Sequence, residues 1–338
     1  MESKKVQAVL SALSFFEIFH CPLTRSEIFN YVFDEFANVI PGRSEGELEI
    51  SQSSLEFSWS DLNAILADLS VQGIIQNQQG LYYLKSNDVA SDAFFKRHQY
   101  YATFHKKLKR AQRWARFMSA FPGVRLVATV NSVGFKIPSE GADIDFLIIT
   151  DEKSLYASRL LITFFLKILG LRPTKKNQKD KICTSFWLSE TALNLEKIAY
   201  SDQDVYLYYW LLNIYPLYDQ ADYYERWQSA NFWLKKHLPN SHFSDNINKI
   251  KLSTWSKTWK FIGETLFVHE FFNGLAKKFQ HRFFSPEIKE LMNKDTRVIV
   301  SDQMLKFHTV DNRQKYFEIY NQYLKDSLNK HQYVAKEN

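Results

Sequence analysis

Apolar side chains at Val6, Val9, Leu10, Leu13 and Phe16–Phe19 fall on one face of a helix, and His20-Cys21-Pro22 ends the run. Thr24 followed by Glu27 has the form of a capping box, which predicts a second helix running to about Phe36. Residues 41–54 are rich in Gly and Ser and acidic, the pattern of a loop. A third helix is expected from near Ser60 to Gly73, a glycine suited to the left-handed residue after a helix end. Ile74–Ile75, the turn QNQQG and Leu81–Leu84 predict a short hairpin. Residues 91–120 read as helix throughout. Strands follow at Val124–Val130, Asp143–Ile149 and Ile182–Leu188. Between the last two, the helix Leu155–Leu169 is expected to pack Leu160, Leu161, Phe164, Phe165 and Ile168 against the sheet. From about Glu196 the chain reads as helical, and aromatic stripes such as VYLYYWLLNIY and ERWQSANFWLKKHL are expected in the core.

These elements define an α+β protein of four parts: a module at 1–90, a basic connecting helix at 91–120, a core at 121–195 and a helical C-terminal domain at 196–338. Three helices and then a hairpin is the order of a winged helix, so the first part is read as a winged-helix-like module. Its charge argues against DNA. Residues 1–90 carry 5 Lys+Arg against 12 Asp+Glu, a net of −7, whereas the rest of the chain has a net of +13. The third helix, SDLNAILADLSVQ, holds Asp61 and Asp68 and no cation, so it would repel phosphates and release no counterions. An interaction or packing role is expected instead.

The connecting helix is the opposite. FFKRHQYYATFHKKLKRAQRWARFM has eight Lys+Arg, with Lys106, Arg110 and Arg113 on one face and Phe104, Leu108 and Ala111 on another. It reads either as a solvated face or as a cationic wall beside a phosphate-handling site. A second basic run, Arg172, Lys175, Lys176, Lys179 and Lys181, crowds one loop. The 10 Gly and 8 Pro leave little room for long linkers, so the parts should pack together. Two distant cysteines, Cys21 and Cys183, give no disulfide framework and fit a reducing, cytoplasmic setting. The N-terminus lacks the features of a signal peptide, and Leu160–Leu171 is too short and too charged to span a bilayer. Trp255–Lys278 alternates aromatics with lysines, a pattern that fits a membrane surface. Glu264, His269 and Glu270 interrupt it, so packing is expected. His105, His269 and His308 have no mutual metal spacing and receive no role.

The chemistry concentrates at one place. Val124–Val130 is followed by Asn131-Ser132, a polar stretch through Ala142, and then Asp143-Ile144-Asp145 opening the next strand. Alternate residues of a strand share a face, so the two carboxylates should project together. Side by side they repel, and a cation between them removes that cost; oxygen ligands suit Mg²⁺ or Mn²⁺.

Strand, small polar pair, loop and Asp-x-Asp together resemble the metal-binding core of polymerase-β-type nucleotidyltransferases. DKICTSFWLSE, DVYLYYW, YPLYD and VIVSDQMLKFH resemble segments of bacterial nucleotidyltransferase-domain proteins that carry a winged-helix-like N-terminal region. The resemblance implies a mixed-sheet nucleotidyltransferase core with Asp143 and Asp145 as metal ligands and Asn131 and Ser132 holding nucleotide phosphates. It also implies transfer of a nucleoside monophosphate from an NTP to an acceptor hydroxyl. RNA or another polyanion is a possible acceptor, met through 91–120 and 172–181. Two positions depart from the family pattern. Asn131 replaces the first glycine of the small pair, and the strand at Ile182–Leu188 supplies no third carboxylate; Asp180 lies just before it and Glu190 just after, and Asp180 is taken as the candidate. The alternative is a catalytically degenerate fold that senses nucleotides or binds RNA or protein.

Overall fold

The computed structural model describes residues 2–34, 55–85, 93–174, 176–201, 203–243 and 249–337. Among these the architecture is mixed α+β, with twelve α-helices, a three-stranded sheet and a mixed six-stranded sheet. The expected loop at 41–54 and Lys175 lie outside the described residues.

The chain opens with α1 (Glu2–Glu17), whose Val9, Leu10, Leu13 and Phe16 are buried as their spacing predicts. β1 (Leu23–Thr24) leads into α2 (Arg25–Tyr31) through the expected capping box, in which the Thr24 N–H donates to Glu27 Oε2 at 2.8 Å and the Glu27 N–H to Thr24 Oγ1 at 3.2 Å. α2 stops at Tyr31 rather than near Phe36. Val32 and Phe33 turn into the core, and the Asp34 N–H donates to the His237 carbonyl at 2.7 Å, a tertiary bond that a longer helix would forfeit. α3 (Trp59–Val71) carries a second capping box at Ser58 and Asp61, and Gly73 beyond its end has φ +69°. β2 (Ile75–Gln78) and β3 (Leu81–Leu84) form the expected hairpin, tightened to the two left-handed residues Gln79 and Gly80, and β1 pairs with the other edge of β3.

After α4 (Ala93–Ser119) comes the large sheet. Its first strands are β4 (Val124–Thr129), followed by the single turn α5 (Asn131–Gly134), then β5 (Ile144–Thr150), the crossover helix α6 (Leu155–Ile168) and β6 (Ile182–Ser189). β4 runs antiparallel to β5, and β6 parallel to it. The remainder, expected to be helical, contributes three further strands. α7 (Val205–Leu212) precedes β7 (Tyr215–Asp219), and α8 (Tyr223–Ala230), α9 (Thr254–Phe267), α10 (Glu270–Phe283) and α11 (Pro286–Leu291) precede the hairpin β8 (Val298–Val300) and β9 (Met304–Phe307); α12 (Arg313–Glu337) closes the chain. The sheet order is β7-β4-β5-β6-β9-β8. Without these late strands β4 and β6 would both be open edges, which is the physical reason the short apolar runs around Leu217 and Leu305 become strands.

Each sheet face covers its own core. Leu126, Ala128, Leu147, Ile149, Phe186 and Leu188 share one with α1, α7 and α12, and through them with the N-terminal module. The Tyr320 hydroxyl meets Ser11 Oγ at 3.1 Å where α12 lies along α1. On the opposite face Val127, Ile144, Phe146, Ile148, Ile182 and Trp187 pack under α4, α6 and α10.

Two packing expectations are overturned. α6 buries Leu155, Tyr156, Arg159, Ile162 and Leu166, while Leu161, Phe164, Phe165 and Ile168 point to solvent and Leu160 is half-buried. The helix carries large apolar residues on both sides, and its inner side also holds Ser158, Arg159 and Thr163, so hydrophobic periodicity points to the wrong face. Hydrogen bonds choose the inner one: Ser158 Oγ donates to the Pro122 carbonyl at 2.8 Å, and the Tyr156 N–H donates to Asn273 Oδ1 at 2.8 Å. Likewise the aromatic residues of 255–278 are largely exposed rather than packed, Trp255 at 78% and Trp259 at 61%. The aromatic run of α7 is buried, as expected. No helix of the described residues is long and apolar enough to cross a membrane.

Candidate functional site

Asp143 sits just before β5 and Asp145 is its second residue, while Ile144, Phe146 and Ile148 go to the opposite face, as strand alternation requires. Both aspartates line one cavity of about 550 Å³, within the ~300–1,000 Å³ usual for small-molecule sites. Parallel pairing of β5 with β6 sets Asp145 opposite Cys183, and ligating atoms of Asp143, Asp145 and Cys183 all lie within 4.8 Å of one another. The register then shifts in β6 before Phe186, a bulge that lets Ser185 and Phe186 both reach the cavity.

Asn131 and Ser132 enter the same cavity from the end of β4. Asn131 has φ +52°, the left-handed backbone at which glycine is the usual residue and asparagine the best substitute. Its side chain is engaged twice: Oδ1 accepts from Trp210 Nε1 at 2.8 Å, and the amide hydrogen-bonds Asp145. The expected pair therefore faces the two carboxylates, and asparagine props one of them.

The electrostatics are those of crowded acids. Burial pushes the Asp145 carboxyl up to about 7, helped by the neighbouring Asp143 charge and opposed by hydrogen bonds from Asn131 and Cys183. Asp143 is also raised by burial, with Lys107 pulling the other way. The Cys183 thiol is pushed well up by burial and by both carboxylates. A divalent cation would relieve all three.

Asp180 is not brought to this group. Its carboxylate pairs with Lys107 Nζ at 2.8 Å, and it does not line the cavity. Lys107 is itself buried and also donates to the Ala142 carbonyl at 2.7 Å and the Glu140 carbonyl at 3.2 Å, while Arg110 Nε donates to the Asp180 carbonyl at 2.8 Å. Asp180 and the basic helix thus clamp the loop that delivers Asp143. Of the cations expected to form a wall, Lys106 and Arg113 are exposed, and it is Lys107 that reaches inward.

Two contributors were not legible as such. Cys183 could have been found by laying Ile182-Cys183 against Ile144-Asp145 in parallel register. His308 could not, because it arrives from beyond β9. Its Nε2 shares a 2.7 Å hydrogen bond with Ser185 Oγ inside the cavity, and burial pushes its pKa down to about 4, so it is neutral at pH 7. Lys306, Asp311 and Arg313 line the same wall. Arg313 is occupied by Asp311 and Asp204, at 2.7 and 2.6 Å, and Lys306 donates to the Thr296 carbonyl. Comparison of the chain with family models, with curated proteins and with solved structures finds no match.

Proposed function

We propose that the chain is a metal-dependent nucleotidyltransferase of the polymerase-β type, moving a nucleoside monophosphate from an NTP to an acceptor hydroxyl. The observation that carries this reading is the pair Asp143 and Asp145 on one side of β5, facing Asn131 and Ser132 across a nucleotide-sized cavity. The N-terminal helices and hairpin are read with it as a winged-helix-like module used for packing.

The donor set fits a divalent cation held by Asp143 and Asp145, since two carboxylates kept this close repel until one is protonated or a cation joins them. The Cys183 sulfur is a softer donor than oxygen, which favours Mn²⁺ and softer ions over Mg²⁺. Such an ion, when bound, supplies charge neutralisation at the phosphates. Ser132 and the backbone at Asn131 position the phosphate oxygens. The acceptor oxygen forms a bond to the α-phosphorus, the bond to the β-phosphate oxygen breaks, and pyrophosphate leaves. His308, hydrogen-bonded to Ser185 on the cavity wall, takes the acceptor proton in place of the absent third carboxylate. Burial holds its pKa at about 4, too low for an effective base, and the anionic phosphates of a bound NTP raise it toward the working range.

The test is a screen of the four NTPs with Mg²⁺ or Mn²⁺, following pyrophosphate release and the mass of candidate acceptors. Release that is faster with Mn²⁺ and lost in His308→Ala is expected. Nucleotide binding without release under every condition would instead support the sensing reading. That reading is favoured by one feature: the other carboxylate on the described cavity wall, Asp311, is tied to Arg313.

A further inference from the structure

Three helices on the sheet face opposite the cavity each turn an apolar stripe outward. On α9, Trp255, Trp259, Ile262 and Leu266 follow i, i+4, i+7, i+11 spacing and are 46–78% exposed. The inward side of that helix is charged. Lys260 is buried, donating to Tyr218 Oη at 3.0 Å and Gln220 Oε1 at 2.8 Å, and Glu264 accepts from Arg125 at 2.8 Å. α10 repeats the arrangement: Asn273 and Gln280 bind α6, and Phe271, Leu275, Phe279 and Phe283 face out. α6 adds Leu161, Phe164, Phe165 and Ile168.

The stripes adjoin. α10 packs on α6, Phe165 lies 5.7 Å from Phe121, and Trp259 lines a depression with Phe121, Phe117, Arg113 and Arg116. An exposed apolar patch of this extent marks an interaction surface.

Charge selects the partner. α6, α9 and α10 together hold seven Lys and Arg against two acids, Glu264 and Glu270; Glu264 is committed inward to Arg125, Arg159 and Lys260 are buried, and Lys277 pairs with Asp302. Lys257, Lys278, Arg282 and Lys167 stand exposed among the aromatics. Protein interfaces are depleted in lysine, and a second copy of this chain would set like charges against like. Exposed Trp and Phe interleaved with lysine are instead the composition of helices that lie in a lipid headgroup layer, where the cationic heads reach phosphate while the stems and rings stay apolar. We propose that the α6–α9–α10 face docks on the surface of an anionic lipid bilayer without crossing it. Asp145 lies on the other face of the sheet, so docking leaves the cavity uncovered.

The test uses the full chain with vesicles of phosphatidylcholine plus phosphatidylglycerol, and with phosphatidylcholine alone. Sedimentation with the anionic vesicles and a blue shift of tryptophan emission are expected, with little binding to phosphatidylcholine. Trp255→Gln with Trp259→Gln should weaken anionic binding by at least about tenfold, and Lys257→Gln with Lys278→Gln should weaken it and flatten its salt dependence. All four side chains are exposed, and unchanged melting temperatures verify that the variants fold. Absence of vesicle binding, equal binding to both vesicles, or unaltered binding by the tryptophan variant overturns the proposal. So does a dimer by light scattering that the tryptophan variant converts to monomer without vesicle binding by either form; that result would assign the face to a second copy.

Discussion

The two faces of the six-stranded sheet break the same rule in opposite directions. On the cavity side, carboxylates that water would stabilise are drawn together beside a core of Leu147, Ile149 and Phe186. On the other, tryptophans that a core would accommodate are turned to solvent while Lys260 is buried beneath them. Trp187 and Trp255 make the contrast plain: one is fully enclosed under α6, the other 78% exposed. Burial therefore follows which groups find hydrogen-bond partners at the interface, and the places where local preference is violated are where function is expected.

The sharpest way to break the comparison is at Asp145. Asp145→Asn removes one charge from the pair, relieving the repulsion, so the fold should hold or gain slightly in stability. Mn²⁺-dependent NTP binding and any pyrophosphate release should fall by at least about 10²-fold, the scale seen when even supporting groups of a metal site are lost. Calorimetric titration of NTP with Mn²⁺ measures it, and unchanged affinity would remove the metal role.

Next in size is the enclosed tryptophan. Trp187→Ala deletes a ring with no solvent exposure and leaves the Thr184 carbonyl, now 2.8 Å from Trp187 Nε1, without its donor. A loss of about 3–5 kcal/mol is expected from denaturant melts. A loss below 1 kcal/mol would mean this side of the sheet is far looser than its packing implies.

Legibility divides along the same line. Local signals carried well: the Thr24–Glu27 box, the Gly73 cap, the hairpin and the Asp-x-Asp alternation all depend on neighbours in sequence. What required tertiary partners did not. The inner face of α6 is chosen by Asn273 and Pro122, more than a hundred residues away in the first case, and the late strands form because β4 and β6 have edges to cover. At the site, Asp143 and Asp145 were readable from period-two alternation. His308 was not, since its meeting with Ser185 spans 123 positions.

Asp180 tests how far the cavity side extends. The nearest carboxylate before β6 is bonded to Lys107 and stands off the cavity wall. Asp180→Asn keeps a side-chain oxygen for Lys107, so transfer should fall by less than about tenfold, against the 10²–10⁴-fold expected for loss of a general base. His308→Ala should show the larger drop. The reverse ranking would return the proton-accepting role to Asp180 and leave His308 a wall residue.

The smallest effect is expected on the outward face. Trp255 is 78% exposed, and α9 is bonded to the sheet through Lys260 and Glu264. Trp255→Ala should therefore change folding stability by no more than about 0.5 kcal/mol, the range of surface substitutions, despite removing the same side chain whose loss at 187 costs several times more. Denaturant melts of the two variants, run side by side without lipid, give the ratio directly. A loss of 2 kcal/mol or more at 255 would mean that the ring is covered in solution, by a second copy or by a rearranged α9. Equal stability with wild type, together with weakened vesicle binding, would separate what holds the fold from what the outer face is for.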